Sequence, residues 1–162
     1  MSSNYQSAAE KQKAVREAVF PALESVEQVY QDVTYTVKYK SEEFNSVCPK
    51  TGLPDFAALE IEYQPDKYLV ELKSLKLYLN AFRNVGVFQE HAANKVFQDF
   101  WKAANPRYLK VTMTFGARGG IDTRVEVEQR RVEMLGFSGP LQYLDQVGGT
   151  TASDLDLRPF CK

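Results

Sequence analysis

The sequence has little cysteine and almost no histidine. It contains two cysteines, Cys48 and Cys161, and one histidine, His91, among 162 residues. Two cysteines are too few for a disulfide scaffold, and no paired Cys-x-x-Cys motif is present. A single histidine excludes a histidine-rich metal site, so the sequence predicts no metal centre. Both cysteines are expected to be reduced thiols.

The sequence also lacks a charge bias and a long apolar run. Its formal net charge is -1, so no basic field indicates a nucleic-acid partner. No apolar stretch approaches the length that spans a membrane. The polar residues 1–11 contain no apolar signal-peptide core. We therefore expect a cytoplasmic protein with neither a nucleic-acid nor a membrane partner.

The apolar periodicity indicates an α+β fold. It predicts a helical segment over residues 8–31 and strands over 33–40 and 59–63. Helices over 74–83 and 91–104 follow, and then strands over 108–116 and 124–132. This order predicts an antiparallel four-stranded sheet with two helices on one face. We divide the chain into an N-terminal helical arm (1–32), a central domain (33–135) and a C-terminal tail (136–162). Exposed sheet edges favour a homo-oligomer.

Cys48 is the first candidate for chemistry. It lies in an irregular loop, residues 46–55, that contains two prolines and a glycine. Such a loop can expose a thiol, and the nearby Lys50 would lower its pKa. A lone cysteine is more often a small buried hydrophobe, but this loop is not a core-strand context. Asp55, just after Pro54, could protonate an adduct on Cys48, although an aspartate at a strand entry is common by itself.

Two glutamates are candidates for binding a heterocyclic base. Glu71 and Glu90 could each accept the two adjacent N–H donors of a guanine-like edge. Alternatively, Glu90 is stabilised by a helix N-terminus, and Glu71 is a solvated residue on a strand face.

Several cations could bind phosphate. Lys73, Lys76 and Arg83 share one predicted helical face, which is either a phosphate clamp or an ordinary solvated surface. Arg118 is followed by glycines that would let backbone N–H groups approach an anion. No Rossmann fingerprint and no P-loop occurs.

Together these motifs resemble a known family. The segments, in order, are 47–55 (Val-Cys-Pro-Lys-Thr-Gly-Leu-Pro-Asp), 71–78 (Glu-Leu-Lys-Ser-Leu-Lys-Leu-Tyr), 82–84 (Phe-Arg-Asn), 88–90 (Phe-Gln-Glu), 105–108 (Asn-Pro-Arg-Tyr) and 118–121 (Arg-Gly-Gly-Ile). They are similar to the single-module branch of the NADPH-dependent 7-cyano-7-deazaguanine reductases. The resemblance extends from about residue 35 to residue 122.

The resemblance implies a tunnelling fold, in which sheets from several subunits close into a barrel with sites between subunits. It implies that NADPH reduces a deazapurine nitrile to a primary amine in queuosine tRNA modification, without metal. Cys48 would be the nucleophile that forms a thioimide, and Asp55 the proton donor. The implied substrate-binding residues are Val70, Glu71, Leu72, Gln89 and Glu90. The implied cofactor-binding residues are Lys73, Ser74, Lys76, Arg83, Arg118 and Gly119.

The sequence departs from the family pattern at a few positions. Gln89 stands where family members commonly have a histidine, and His91 follows Glu90 instead. Leu72 replaces a residue that is often small and polar. Some relatives have a second cysteine that can lock the nucleophile in a disulfide, but Ala92 and Ala93 occupy that region here. We therefore expect no such lock, including with Cys161.

Two alternative functions use the same residues. Related amidine-forming enzymes add an amine to the same nitrile without NADPH, and they need no cationic face at Lys73, Lys76 and Arg83. Gln89 keeps this alternative open. A non-catalytic tunnelling-fold protein would bind a purine or pterin, but binding alone needs no thiol in a loop.

Overall fold

The computed structural model describes residues 19–131 of the chain. Within them, six strands and two α-helices follow one another along the chain. They are β1 (Ser25–Glu27), β2 (Val37–Val47), β3 (Pro54–Gln64), β4 (Tyr68–Val70), α1 (Leu72–Ala81), α2 (Gln89–Ala104), β5 (Tyr108–Arg118) and β6 (Ile121–Arg130). A short 3₁₀ helix, Phe82–Asn84, lies between the two α-helices.

Four of the strands form one antiparallel sheet, in the order β2-β3-β5-β6. Alternate residues of β3 and β5 face the two helices and form a single core with them. Leu59, Ile61, Val111 and Met113 are at most 2% exposed. The predicted α+β fold, with a four-stranded antiparallel sheet and two helices, is confirmed. The division of the chain at residues 32 and 135 stays a prediction.

The helix predicted over residues 8–31 is wrong for the part that the structure describes. Residues 25–27 form β1, which pairs antiparallel with β4, with Ser25 opposite Val70. Val26, Val29 and Tyr30, whose helical spacing suggested the helix, are all exposed. A three-residue strand is too short to show alternation and depends on its distant partner. Residues 8–18 of the predicted arm lie outside the described residues.

Strand β2 differs from its predicted range because it contains a bulge. The register with β3 shifts between Ser41 and Phe44. Before the bulge, odd-numbered residues such as Tyr39 face the core, and after it Phe44 and Ser46 do so. The extra residue reverses the alternation, so the period-two pattern stops at residue 40 although the strand continues to Val47.

The ends of the helices have local causes. Helix α1 begins earlier than predicted, because the Glu71 side chain caps it. It also ends at Ala81, and the 3₁₀ turn follows. Arg83 therefore does not lie on the continuous helical face that was predicted for it with Lys73 and Lys76. Helix α2 ends where Asn105 adopts a left-handed conformation (φ 42°) before Pro106.

Neither helix between residues 19 and 131 is long and apolar enough to cross a membrane.

Candidate active site

Cys48 lies at the start of the β2–β3 hairpin loop. Its N–H donates to the Leu53 carbonyl at 2.8 Å, and its carbonyl accepts from the Gly52 N–H at 2.9 Å. Gly52 has φ +71°, a conformation that glycine adopts without strain. The loop predicted over 46–55 is therefore a shorter, ordered turn, because Ser46 and Asp55 already pair across the two strands. This turn fixes the position of the sulfur.

The environment of Cys48 favours the thiolate. Its side chain is buried, with the residue 7% exposed. Burial raises the pKa of the thiol, but hydrogen bonds from the Thr51 hydroxyl, the Arg118 side chain and the backbone N–H groups of Lys50 and Thr51 outweigh it. The pKa of Cys48 falls from its ordinary 9.0 to about 6. The sequence assigned this effect to the charge of Lys50, whereas here Lys50 acts through its backbone.

Asp55 lies at the start of β3 and shares a partner, Arg118, with the thiol. It is only 4% exposed, and its carboxylate forms an ion pair with Arg118. Ser46 is opposite Asp55 in the sheet, and its buried hydroxyl has no hydrogen-bond partner among the described residues. Buried polar atoms are usually satisfied, so this hydroxyl is an exception among the described residues near Asp55.

Arg118 is the residue that joins the thiol to the carboxylate. It ends β5 directly before the two-residue turn Gly119–Gly120, whose φ angles are +57° and +80°. Positive φ at both positions is the requirement of a type I′ hairpin, so the turn alone accounts for both glycines. The register also shifts between Phe115 and Arg118, and such a shift redirects a side chain. The roles of Arg118 and Gly119 in cofactor binding stay predictions.

The segment before α2 packs against the Cys48 loop. The Val47 N–H donates to the Val85 carbonyl at 3.1 Å, and the Val87 N–H donates to the Val47 carbonyl at 3.0 Å. Gly86 lies over Pro49, since a Cβ on it would be 3.8 Å from the Pro49 Cα. These contacts place the start of α2, with its predicted substrate-binding residues, on the same side of the domain as Cys48.

Three residues at the start of α2 differ in their surroundings. Glu90 is exposed in the first turn of the helix, and Gln89 is half-buried. The ring of His91 lies edge-on to Phe88, with centroids 5.8 Å apart, and its buried Nδ1 has no hydrogen-bond partner among residues 19–131. Glu90 is therefore the accessible acceptor on this segment.

Glu71 has a structural role that the sequence did not predict. Its carboxylate accepts from the Lys73 N–H at 2.8 Å and the Ser74 N–H at 2.6 Å, which caps α1. The backbone hydrogen bonds from Lys73 and then Ser74 hold the pKa of Glu71 below its usual value. The interpretation as a strand-face residue is wrong. A carboxylate has about four lone-pair sites, so this cap leaves capacity for another donor.

Within one chain, Glu71 and Cys48 lie at opposite ends of β2. The carbonyl of Val70 accepts a hydrogen bond from the Tyr39 hydroxyl at 3.4 Å, near the start of β2. Cys48 follows the other end of this strand, and at 3.3 Å per residue the backbone separation from Tyr39 is roughly 25 Å. One chain therefore does not bring Glu71 to the thiol.

A cavity of about 490 Å³ runs between α1 and β2. Lys73, Lys76 and Leu72 line it from the helix. Ser74 faces the opposite way: its buried hydroxyl donates to the Glu71 carbonyl and accepts from the Glu24 N–H. Arg83, on the 3₁₀ helix, is exposed and is not one of the lining residues. Of the predicted cofactor-binding residues, this cavity thus brings together only the two lysines.

Comparison with known proteins assigns the chain to a family. A family model described as QueF-like protein matches residues 54–134. The chain belongs to the QueF-like family. Two curated members share one name, NADPH-dependent 7-cyano-7-deazaguanine reductase. The protein of Caldanaerobacter subterraneus is 48% identical over 68% of this chain and 83% of its own length. The protein of Thermoanaerobacter pseudethanolicus is 50% identical over 64% of this chain and 77% of its own length.

A solved structure shares the QueF-like fold. It is the crystal structure of the archaeosine synthase QueF-Like in the apo form, with a TM-score of 0.53 and 24% sequence identity. The match covers 61% of this chain and 95% of that one. The likeness concerns the fold of one chain, and it confirms the tunnelling fold at that level. The barrel of several subunits that the motifs implied stays a prediction.

The sequence did not predict the contact of Arg118 with Cys48 and Asp55. Arg118 is far from both in the chain, and its neighbouring glycines suggested a phosphate loop. The pairing becomes visible only once β5 lies next to β3. The unpartnered hydroxyl of Ser46 was also missed, because the bulge reverses which β2 residues face inward.

Proposed function

We propose that this protein reduces the nitrile of 7-cyano-7-deazaguanine to the aminomethyl product with NADPH, in queuosine tRNA modification. The observation that carries the proposal is the buried thiol of Cys48, hydrogen-bonded by Arg118, which also pairs with Asp55. The names of the curated relatives support the substrate and the cofactor.

The first step is addition of the thiol to the nitrile. The sulfur of Cys48 bonds to the nitrile carbon, one carbon–nitrogen π bond breaks, and its electron pair moves to nitrogen. Asp55 takes the thiol proton and then delivers it to this nitrogen, so the product is a neutral thioimide on Cys48. A thiolate is the reactive form of cysteine, and the low pKa of Cys48 supplies it at neutral pH.

The cofactor would bind along α1. Lys73 and Lys76 project two ammonium groups into the cavity beside β2, and this donor chemistry suits the phosphates of a dinucleotide. When bound, two NADPH in turn would supply the two hydrides that a nitrile needs to become a primary amine. The carbon–sulfur bond would break between the two transfers, and its electron pair would return to the sulfur of Cys48. That cavity is not lined by the remaining predicted cofactor-binding residues, which are Ser74, Arg83, Arg118 and Gly119.

The substrate base would be held by glutamates from two copies of the chain. Glu90 lies on the Cys48 side of the domain, whereas Glu71 lies at the far end of β2. A deazaguanine is much shorter than the roughly 25 Å between those ends, measured along the strand. Glu71 can therefore contact the same base only from a second copy, so the proposal includes a homo-oligomer with sites between subunits.

An NADPH-oxidation assay tests this function. Purified protein is mixed with 7-cyano-7-deazaguanine and NADPH, and the absorbance of NADPH is followed. We expect oxidation that depends on the nitrile, and a loss of about 1000-fold or more in Cys48→Ala. Cys161→Ala is the matched control, because it removes the other thiol and should retain activity. Covalent addition to Cys48 without oxidation of NADPH would instead indicate the amidine-forming chemistry.

A further inference from the structure

Arg118 occupies a position between two groups that can share one proton. Its guanidinium pairs with the carboxylate of Asp55 and hydrogen-bonds the sulfur of Cys48. Both acidic groups are at least nine-tenths buried, whereas Arg118 reaches them from a partly exposed position with 41% of its side chain accessible. A buried anion needs a paired countercharge.

The charges at this site do not cancel if both acids are ionised. A thiolate and a carboxylate would then face a single guanidinium and leave one unpaired buried charge. If the two acids share one proton instead, the site carries a single negative charge, which Arg118 can neutralise. Arg118 can serve either acid, because its planar fork has several donors directed at neighbouring acceptors.

We propose that Arg118 is a positioning residue whose guanidinium carries the countercharge as negative charge moves from the sulfur of Cys48 to the carboxylate of Asp55. This inference rests on the proposed function. Before addition, the charge is on sulfur and the proton on Asp55. When the sulfur–carbon bond forms, Asp55 gives its proton to the nitrile nitrogen and becomes the carboxylate. Arg118 contacts both groups throughout, so the site never holds an unpaired buried anion.

This role is distinct from binding a cofactor phosphate. A phosphate-binding arginine would act only when NADPH is present. A countercharge for the thiolate acts in the protein without any ligand, and it would govern the reactivity of Cys48 toward any electrophile. The reactivity of the thiol in the absence of nitrile and NADPH therefore separates the two roles.

The test is the pH profile of Cys48 alkylation by iodoacetamide, in a Cys161→Ser background and without substrate or cofactor. The rate rises with pH as the thiol ionises, and for wild type we expect a midpoint near about 6. Arg118→Gln removes the countercharge, so its midpoint should rise by about one pH unit or more, which slows alkylation about fivefold or more at pH 6. Arg118→Lys retains a cation and should restore part of the shift.

Arg124→Ala is the matched control, because it removes an exposed arginine from β6 that pairs with Glu126. It should leave the midpoint unchanged, and circular dichroism establishes that each variant is folded. An unchanged midpoint in folded Arg118→Gln, with a raised KM for NADPH, would overturn the inference in favour of phosphate binding. If Arg118→Gln does not fold, equal midpoints in wild type and a folded Arg118→Ser would overturn it in the same way.

A second experiment distinguishes failure of this inference from failure of the proposed function. The covalent adduct on Cys48 is measured with the nitrile but without NADPH, and Arg118→Gln should form it more slowly, by about fivefold or more, at pH 6. If wild type forms no adduct while the alkylation midpoint still shifts in Arg118→Gln, the nitrile chemistry fails and the role of Arg118 in ionising Cys48 stands. If wild type forms the adduct and Arg118→Gln forms it equally fast, the role of Arg118 is overturned.

Discussion

The two ends of strand β2 differ in how their charged groups are used. At the Cys48 end, the acidic and basic groups are buried or partly buried and paired with one another. At the Glu71 end, Lys73 and Lys76 are exposed around an open cavity, and Glu71 caps a helix while remaining partly accessible. The first arrangement suits bond-making within one chain, and the second suits binding of molecules that come from outside it.

The proposed function needs groups from both ends of β2. Cys48 directly follows β2, Asp55 lies in β3 and Arg118 ends β5, and these three strands are neighbours in one sheet. The binding groups of α1 lie at the far end of that sheet. Mutations at the Cys48 end should therefore affect the chemical step, whereas mutations at the Glu71 end should affect binding.

At the Cys48 end, Asp55→Asn is expected to lower the rate more than any change except loss of the thiol itself. Asparagine keeps the shape of the side chain but can neither take the thiol proton nor donate it to the nitrile nitrogen. We expect kcat to fall about 10²- to 10⁴-fold, with little change in KM. Steady-state kinetics measure this, and thermal unfolding checks that the buried position still accommodates the side chain.

Retention of kcat within a few-fold in folded Asp55→Asn would contradict the assignment of Asp55 as proton donor. The nitrile nitrogen would then have to receive its proton from another group, and the buried Ser46 hydroxyl next to Asp55 would be the first to examine.

A smaller effect is expected at Glu71, where two variants separate capping from binding. Glu71→Ser can still cap α1 because serine is a good N-cap residue, whereas Glu71→Ala cannot, at a cost of about 1 kcal/mol in unfolding free energy. Neither variant offers a carboxylate to the base. Both should raise the KM for the nitrile about tenfold or more, while denaturant unfolding should distinguish them.

Mixing an inactive variant with one that binds the nitrile weakly tests whether Glu71 acts from a second copy. Cys48→Ala and Glu71→Ala chains are unfolded, combined and refolded together. If each site takes Cys48 from one chain and Glu71 from another, random association should leave both wild-type residues in about a quarter of the sites. No recovery of activity at low nitrile concentration would mean that each site uses residues of one chain.

The smallest effect is expected from charge reversal at the cavity. Lys73→Glu should raise the KM for NADPH several-fold more than that for the nitrile, because it repels the cofactor phosphates. Lys102→Glu is the matched control, since Lys102 is an exposed lysine on α2 that lines a different surface. An unchanged KM for NADPH in Lys73→Glu would remove this residue from the cofactor site.

The sequence predicted the main elements because their patterns are local. The alternation of β3, β5 and β6 and the apolar face of α2 each lie within one segment, and the structure contains all of them. What could not be predicted depends on distant partners. Strand β1 forms because it pairs with β4. The bulge between Ser41 and Phe44 reverses the alternation of inward and outward residues, which a search for a constant period of two cannot detect.

The same distinction holds for the site. Cys48 and Asp55 were identified because they share one loop and one motif, and the hairpin places them together. Arg118 was identified but assigned to a phosphate, since only the pairing of β5 with β3 brings it to the thiol. The cap formed by Glu71 was hidden by an apolar context that suggested a strand.

Covalent attack by Cys48 is the central step of the proposed reaction, and mass spectrometry of the intact protein and of its peptides measures it. The protein is incubated with 7-cyano-7-deazaguanine without NADPH, and then NADPH is added. We predict a mass gain of one nitrile molecule on the peptide containing Cys48, which disappears when NADPH is supplied. Sustained NADPH oxidation in a protein that never acquires this adduct, or an adduct on Cys161 alone, would contradict the account.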